Sequence, residues 1–156
     1  MSTREPAAGG GTYTLVVRLA APATVTVGAL GDRALPAGWY AYTGSALGPG
    51  GFARVDRHRD LAAGERDTRH WHVDYLLGHP AASVASVIYA GGVDVECAVA
   101  ATLDGDPVPG FGASDCGCSS HLDRLGPAGD GGGEAAGRDA VVDRVLAAHR
   151  SARGDV

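Results

Sequence analysis

Alternation of apolar and polar residues near the start of the chain is the feature that most constrains its fold. In this segment the alternate positions are apolar: Tyr13, Leu15, Val17 and Leu19. Because successive side chains of a strand point to opposite faces, the pattern predicts a half-buried β-strand. Further strands are predicted over 23–27 and 39–43, with a turn-rich return over 28–36. Three short strands in succession predict an antiparallel meander.

Helical spacing of apolar residues alternates with strand patterns in the middle of the chain. Helices are predicted over 50–63, 67–77 and 94–103, and a strand over 83–90. The stretch 107–122 follows neither period and is predicted to be irregular. The fold class expected from this order is α+β, with a small, mainly antiparallel sheet flanked by helices.

Composition divides the 156 residues into four parts. We expect a disordered leader over 1–10, one folded domain over 11–125, a Gly-rich linker over 126–138 and an amphipathic helix over 139–153. The last helix carries an apolar stripe, so it is expected either to fold back on the domain or to dock on a partner. Folding back is the commoner arrangement.

Charge and hydropathy exclude several classes of protein. The net charge of −5 argues against a broad basic surface that binds nucleic acid through phosphates alone, although a local cationic groove is compatible with it. All 13 basic residues are Arg, whose planar guanidinium suits phosphate contacts. No apolar run approaches the roughly 18 residues of a membrane helix, and no basic and then apolar export signal begins the chain. A cytoplasmic protein without membrane contact is expected.

Five side chains in separate segments have the chemistry of a phosphodiesterase site. The first strand opens with Gly11-Thr12-Tyr13 and the third ends with Tyr42-Thr43-Gly44, so pairing of these strands would bring the two tyrosines together. Arg54 and His58 are four residues apart and therefore share one face of a helix. A carboxylate, Glu96, lies in the first turn of a later helix.

These elements, in this order, resemble the GIY-YIG nuclease superfamily, whose pattern is a G-x-Y strand, a Y-x-G strand, a helix with Arg and then His or Tyr, and a helix with Glu. The likeness is closest to a branch found alone or fused to endonuclease III-type DNA glycosylases. The motifs of that branch read here as Gly38-Trp39-Tyr40-Ala41-Tyr42-Thr43-Gly44-Ser45-Ala46, Arg54 to His58, His70 to Leu76, Glu96-Cys97 and Gly112 to Leu122. Two departures are an extra strand and turn between the tyrosine motifs, and Thr in place of isoleucine in the middle of each.

The resemblance covers about residues 11–125. It implies a GIY-YIG-like fold and a metal-dependent nuclease that hydrolyses phosphodiester bonds in structured or damaged nucleic acid. The nucleic acid implied is DNA, in repair or processing.

Phosphodiester hydrolysis assigns a role to each of the five residues. A divalent ion and a cation must neutralise the charge that develops, and a base must activate water. Glu96 is expected to hold Mg²⁺ or Mn²⁺, and Arg54 to clamp the phosphate. Tyr13 or Tyr42 can act as the base only if its pKa falls from about 10, whereas His58 takes or relays the proton more readily. All five are expected to converge on one surface groove.

Contacts with nucleic acid are predicted at four further positions: Ser45, Arg57, His70 and His72. One of these positions has a structural alternative. His70 and Asp74 lie one helical turn apart, so the two side chains can instead bind each other.

The three cysteines form an odd set in a chain without an export signal, so free thiols or metal ligands are expected rather than disulfides. A zinc site would use Cys97, Cys116, Cys118 and His121. Reduced core thiols are the expected alternative, because C-x-C-x-x-H is not a common zinc spacing and free Cys is usually buried. A Cys nucleophile activated by His is a third alternative, for which the sequence fixes no pair.

Three functions stay open from the sequence. The first is the metal-dependent nuclease. The second is a catalytically silent nucleic-acid-binding or repair-accessory module with a repair protein as partner, since strand tyrosines can serve packing and a helix face with Arg and His can simply be solvated. The third is a zinc-stabilised interaction domain.

Overall fold

The computed structural model of the chain describes residues 10–26, 31–46, 51–64, 72–91, 98–99, 102–103, 106–108, 121–126 and 134–152. The elements within these ranges are β1 (Gly11–Leu19), β2 (Ala23–Thr26), β3 (Asp32–Leu35), β4 (Gly38–Ser45), α1 (Ala53–Ala62), α2 (His72–Leu77), β5 (Ala82–Gly91), β6 (Asp106–Pro107), β7 (Leu122–Gly126) and α3 (Glu134–Ala152).

β1 is a central strand of the main sheet, whose five strands lie in the order β5-β1-β4-β7-β6. Each neighbouring pair runs antiparallel. Beside this sheet, β2 and β3 pair with each other in a separate two-stranded sheet. Because helices pack on the main sheet, the molecule has the small, mainly antiparallel α+β fold that the sequence predicts.

The predicted three-stranded meander is wrong in its connectivity. The return over 28–36 contains β3, which pairs with β2, so this hairpin leaves the main sheet. β1 pairs instead with β4, and these strands of 9 and 8 residues are buried along almost their whole length. Burial of that much apolar surface favours a central position for both strands. The stretch 107–122 was predicted to be irregular because it has no clear periodicity. It nevertheless contains the last residue of β6 and the first residue of β7.

Local predictions agree with the observed elements to within a few residues where the structure describes them. α1 begins at Ala53 rather than at residue 50, and β5 begins at Ala82 rather than at residue 83. The start of the predicted helix 67–77 and most of the helix 94–103 lie outside the described residues. Of the latter, residues 98–99 and 102 are helical, and the Leu103 N–H donates to the Val99 carbonyl at 3.1 Å.

Helices cover the main sheet on both sides, which we call the tyrosine face and the opposite face. The tyrosine face carries Tyr13 and alternate residues of β1, and it packs against α1 and α2. The opposite face carries Val16 and Ile88, and it packs against α3. A half-buried first strand was expected, but Thr12 and Thr14 on the opposite face are fully buried as well, and α3 contacts β1 on this face through His149 and Thr14.

The C-terminal helix α3 folds back on the domain that precedes it. It begins at Glu134, ahead of the predicted start at residue 139, and buries Val145 in the opposite-face core. Near its C-terminal end, His149 Nε2 lies 2.8 Å from Thr14 Oγ1, which lies 2.9 Å from Thr43 Oγ1. These bonds satisfy polar groups that α3 removes from water. None of the helices in the described ranges is both long and apolar enough to cross a membrane.

Candidate active site

Pairing of β1 with β4 brings the two tyrosine motifs together at one end of the tyrosine face. Tyr13 lies opposite Gly44, and Tyr42 lies opposite Leu15, so the two tyrosines are diagonal neighbours across the strands. Their ring centroids are 6.5 Å apart. The extra hairpin between the motifs does not disturb this pairing, because β2 and β3 lie outside the main sheet.

Helix α1 places His58 against these rings. Val55, His58 and Leu61 are its buried residues, and their spacing of three makes one face of the helix. His58 Nε2 lies 2.9 Å from Tyr13 Oη, and the His58 ring centroid is 5.7 Å from that of Tyr13 and 6.2 Å from that of Tyr42. The three aromatic side chains therefore form one contact cluster with a hydrogen bond at its centre.

Arg54 approaches the same cluster from the first turn of α1. Its Nη1 donates a hydrogen bond to the Ser45 carbonyl at the end of β4, and its positive charge lies close enough to Tyr13 to lower the pKa of that phenol. Arg54 is half-buried, so this residue is partly accessible to solvent. A guanidinium in this position is suited to a phosphate group.

Asp74, on α2, completes the cluster from behind His58. Its Oδ2 accepts a hydrogen bond from Arg57 Nη1 at 2.9 Å, and its Oδ1 lies 3.4 Å from His58 Nδ1. The sequence offered His70 as the partner of Asp74, but His70 lies outside the described residues and the described partners come from α1. One sequence signal marked Asp74: it stands among apolar residues of a helix, where a carboxylate needs a partner.

Burial shifts the pKa values of the two hydrogen-bonded groups in opposite directions. The pKa of Tyr13 rises well above 10, first because of burial and then because of Tyr42, while Arg54 opposes the rise. The pKa of His58 falls below 6.5, again first because of burial, and Asp74 opposes that fall. Both side chains are therefore neutral near pH 7, so the hydrogen bond joins a phenol and an imidazole.

The lowered pKa of His58 predicts that the free energy of unfolding falls as the pH drops below about 6.5. The unfolded chain takes up a proton there that folded His58 resists, so the stabilisation is complete above the unfolded pKa and is lost below it. The slope due to one group is at most about 1.4 kcal/mol per pH unit. Urea unfolding between pH 7 and pH 5 should therefore show a steeper decline for the wild type than for His58→Gln. Parallel declines would contradict the prediction.

The structure brings together the four described residues of the predicted catalytic set, Tyr13, Tyr42, Arg54 and His58. They do not line an open groove. Tyr13, Tyr42 and His58 are only 1%, 6% and 0% exposed. Burial follows from their positions between the sheet and α1, and half-buried Arg54 is the most accessible member. The prediction of a surface groove is thus wrong for these three side chains.

The other predicted residues either border the cluster or lie outside the described residues. Ser45 is half-buried and contributes its carbonyl to Arg54, and Arg57 is bound by Asp74 and only 13% exposed. His72 begins α2, but its side chain is outside the described part, as are four other predicted residues: His70, Glu96, Cys116 and Cys118. Cys97 is likewise outside it.

His121, the remaining predicted zinc ligand, is buried beside β4. Its carbonyl accepts the Thr43 N–H at 3.0 Å. Val99 and Leu103, which lie within the predicted helix 94–103, pack in the opposite-face core. Among the described residues, no group of three or more His, Cys, Asp or Glu side chains is arranged to hold a metal ion. The zinc and magnesium sites both stay predictions.

Comparison with known families gives one match. The profile of the family described as domain of unknown function DUF123 matches residues 12–130, about three quarters of the chain. The chain belongs to the DUF123 family. The DUF123 match runs from β1 past β7, so it includes every residue of the cluster and ends before α3. No curated protein and no solved structure matches the chain.

Proposed function

We propose that this DUF123 protein is a metal-dependent nuclease of the GIY-YIG type that hydrolyses phosphodiester bonds in structured or damaged DNA. The observation that carries the proposal is the 2.9 Å contact between Tyr13 Oη and His58 Nε2, with the Arg54 guanidinium close enough to the same tyrosine to lower its pKa. Elements far apart in the chain place a phenol, an imidazole and a guanidinium together. That combination is the one that the resemblance to the superfamily implies.

The neutral Tyr13 and His58 support a proton relay rather than a resting phenolate. A water molecule that attacks phosphorus gives its proton to Tyr13 Oη as the Tyr13 O–H gives its own proton to His58 Nε2. The oxygen of water forms the new bond to phosphorus while the bond from phosphorus to the oxygen of the other strand end breaks, and that leaving oxygen takes a proton from solvent water. His58 ends as an imidazolium, beside the Asp74 carboxylate. Arg54 is the cation that faces the phosphate during this step.

The metal ion of the proposal rests on the sequence. Asp74, the carboxylate of the described cluster, is engaged by Arg57 and His58 and is therefore not a suitable ligand for Mg²⁺. The described residues thus do not form a site suited to the metal ion, and none of the proton-transfer steps above depends on the ion. Glu96 is proposed as the Mg²⁺ or Mn²⁺ ligand. We further propose a cytoplasmic location and a repair protein as partner, both from the sequence and the resemblance.

A second function is favoured by one observation. Tyr13 and His58 are almost completely buried, and the raised pKa of Tyr13 disfavours its ionised form. These features also suit a nucleic-acid-binding or repair-accessory module in which the cluster is a packed, hydrogen-bonded core without catalytic use. Salt-sensitive retention of DNA without cleavage is expected from such a module.

Cleavage of a panel of labelled flaps, forks, junctions and single strands in Mg²⁺ or Mn²⁺ tests the two functions. Tyr13→Phe and Glu96→Gln should each lower the cleavage rate about 100-fold or more, since both remove a group that acts in the reaction. The matched control is Tyr75→Phe, which removes a hydroxyl from a half-buried tyrosine of α2. Equal cleavage by Tyr13→Phe and Tyr75→Phe would contradict the assignment of Tyr13. Binding of the panel without cleavage by the wild type would favour the module.

A further inference from the structure

Asp74 is a completely buried carboxylate for which the proposed chemistry has no direct use. It is 0% exposed and lies between α2 and α1, where it faces two side chains of α1. An ionised carboxylate removed from water is costly unless charged or hydrogen-bonding groups compensate it. The nature of its partners therefore indicates what Asp74 contributes.

The two oxygens of Asp74 have different partners. Oδ2 accepts from Arg57 Nη1 at 2.9 Å, which is a charge-assisted hydrogen bond of ordinary length. Oδ1 lies 3.4 Å from His58 Nδ1, which is an electrostatic contact outside ordinary hydrogen-bond geometry. Because Arg57 can only donate, its position fixes the orientation of the carboxyl group and directs Oδ1 toward the imidazole.

The opposite nitrogen of His58 faces Tyr13, so the arrangement selects one tautomer of the ring. A carboxylate oxygen can only accept, so the nitrogen beside it, Nδ1, carries the hydrogen. In a neutral imidazole the other nitrogen, Nε2, is then an acceptor and receives the O–H of Tyr13. We propose that Asp74 is a positioning residue that holds His58 in the Nδ1–H tautomer, so that Nε2 can take the proton of Tyr13. The tautomer is inferred from the Asp74 and Tyr13 contacts, and its catalytic consequence rests on the proposed nuclease function.

The negative charge of Asp74, like its position, favours transfer of a proton to His58 Nε2. When Nε2 takes a proton, His58 becomes a cation in a buried site that Arg54 and Arg57 already make positive. The Asp74 carboxylate is the described group that favours this cation, and it raises the His58 pKa against burial and both arginines. Tyr13 and Tyr42 complete the titratable surroundings of the ring.

Arg57 makes Asp74→Asn an informative substitution. The amide oxygen must stay on the Arg57 side, because the opposite orientation would set the amide NH₂ against a guanidinium that also donates. The NH₂ group then faces His58 Nδ1 and donates to it. His58 must accept at Nδ1 and carry its hydrogen on Nε2, which can no longer receive the Tyr13 proton. The substitution thus changes the tautomer with almost no change in volume.

The test is ¹⁵N NMR of the histidine rings in the full-length protein at pH 7.5, which distinguishes the two tautomers without any substrate. His58→Gln identifies the His58 signals by their loss. We expect the Nδ1–H form in the wild type, the Nε2–H form in Asp74→Asn, and no change in Asp56→Asn, whose carboxylate is exposed on α1. An Nε2–H form in the wild type overturns the proposal. So does an Nδ1–H form in both the wild type and Asp74→Asn. If Asp74→Asn does not fold, the wild-type spectrum still decides.

Cleavage kinetics of the same proteins test the consequence for catalysis. Asp74→Asn should lower kcat about 100-fold, with KM within a factor of about two, because the relay loses its acceptor while the phosphate contacts stay. The pH profile of kcat should also lose its limb near the His58 pKa, which a purely structural defect would leave in place. Normal kcat with a changed tautomer overturns the catalytic role. Absence of cleavage by the wild type instead contradicts the proposed function and leaves the NMR result on Asp74 standing.

Discussion

Val145→Asp is expected to remove a large part of the folding free energy of the protein. Val145 is 0% exposed in the opposite-face core, in the same cluster as Val16 and Ile88 of the sheet. The substitution removes the burial of a valine, about 1.5–3 kcal/mol, and places a carboxylate among apolar side chains. A loss of more than about 4 kcal/mol is therefore expected, against a total of about 5–15 kcal/mol for a typical domain.

Ala147→Asp is the matched control for this prediction. It adds the same charge to the same helix two residues later, at an exposed position, so its cost should stay below about 1 kcal/mol. Urea unfolding followed by circular dichroism and tryptophan fluorescence measures both variants, and Trp39 lies in the affected core. Similar midpoints for the two variants would mean that α3 is not docked on the sheet in solution.

The sequence predicts local features of this fold better than its pairings. The alternation in β1 has a period of two that depends only on neighbouring residues, and it correctly placed Tyr13 on an apolar face. Which strand lies beside β1 depends on contacts far along the chain, and the expected neighbour β2 was wrong. Burial of the second face was missed for the same reason, since it depends on α3, more than a hundred residues away.

In the candidate site, too, the sequence predicted the features that depend on local motifs and missed the one that depends on packing between helices. Tyr13, Tyr42, Arg54 and His58 were identified through short motifs, and the structure brings these four together. The sequence offered no partner from another helix for Asp74, which was paired with His70 because residues four apart on one helix are neighbours. The contact between α1 and α2 that gives Asp74 its partners follows from packing, which one sequence does not specify.

Gly44→Ala is expected to displace Tyr13 and to damage both stability and activity. A Cβ at position 44 would lie 2.6 Å from Tyr13 Oη and 2.8 Å from Tyr13 Cζ, far inside van der Waals contact. Relief requires the phenol to move by about 1 Å, because favourable contacts begin near 3.5 Å. Tyr13 is buried and bonded to His58, so this movement breaks the 2.9 Å hydrogen bond.

The expected cost of Gly44→Ala is about 1–3 kcal/mol of unfolding free energy, as for other overpacked cores. If the protein is the proposed nuclease, cleavage should also fall about 100-fold, since an error of 1 Å in a reacting group has that effect. A double-mutant cycle with Tyr13→Phe, measured by urea unfolding, assigns the cause. Tyr13→Phe removes both the closest atom and the hydrogen bond that fixes the ring, so Gly44→Ala should cost less in that background. Equal costs in both backgrounds would show that the tyrosine hydroxyl is not what requires glycine at position 44.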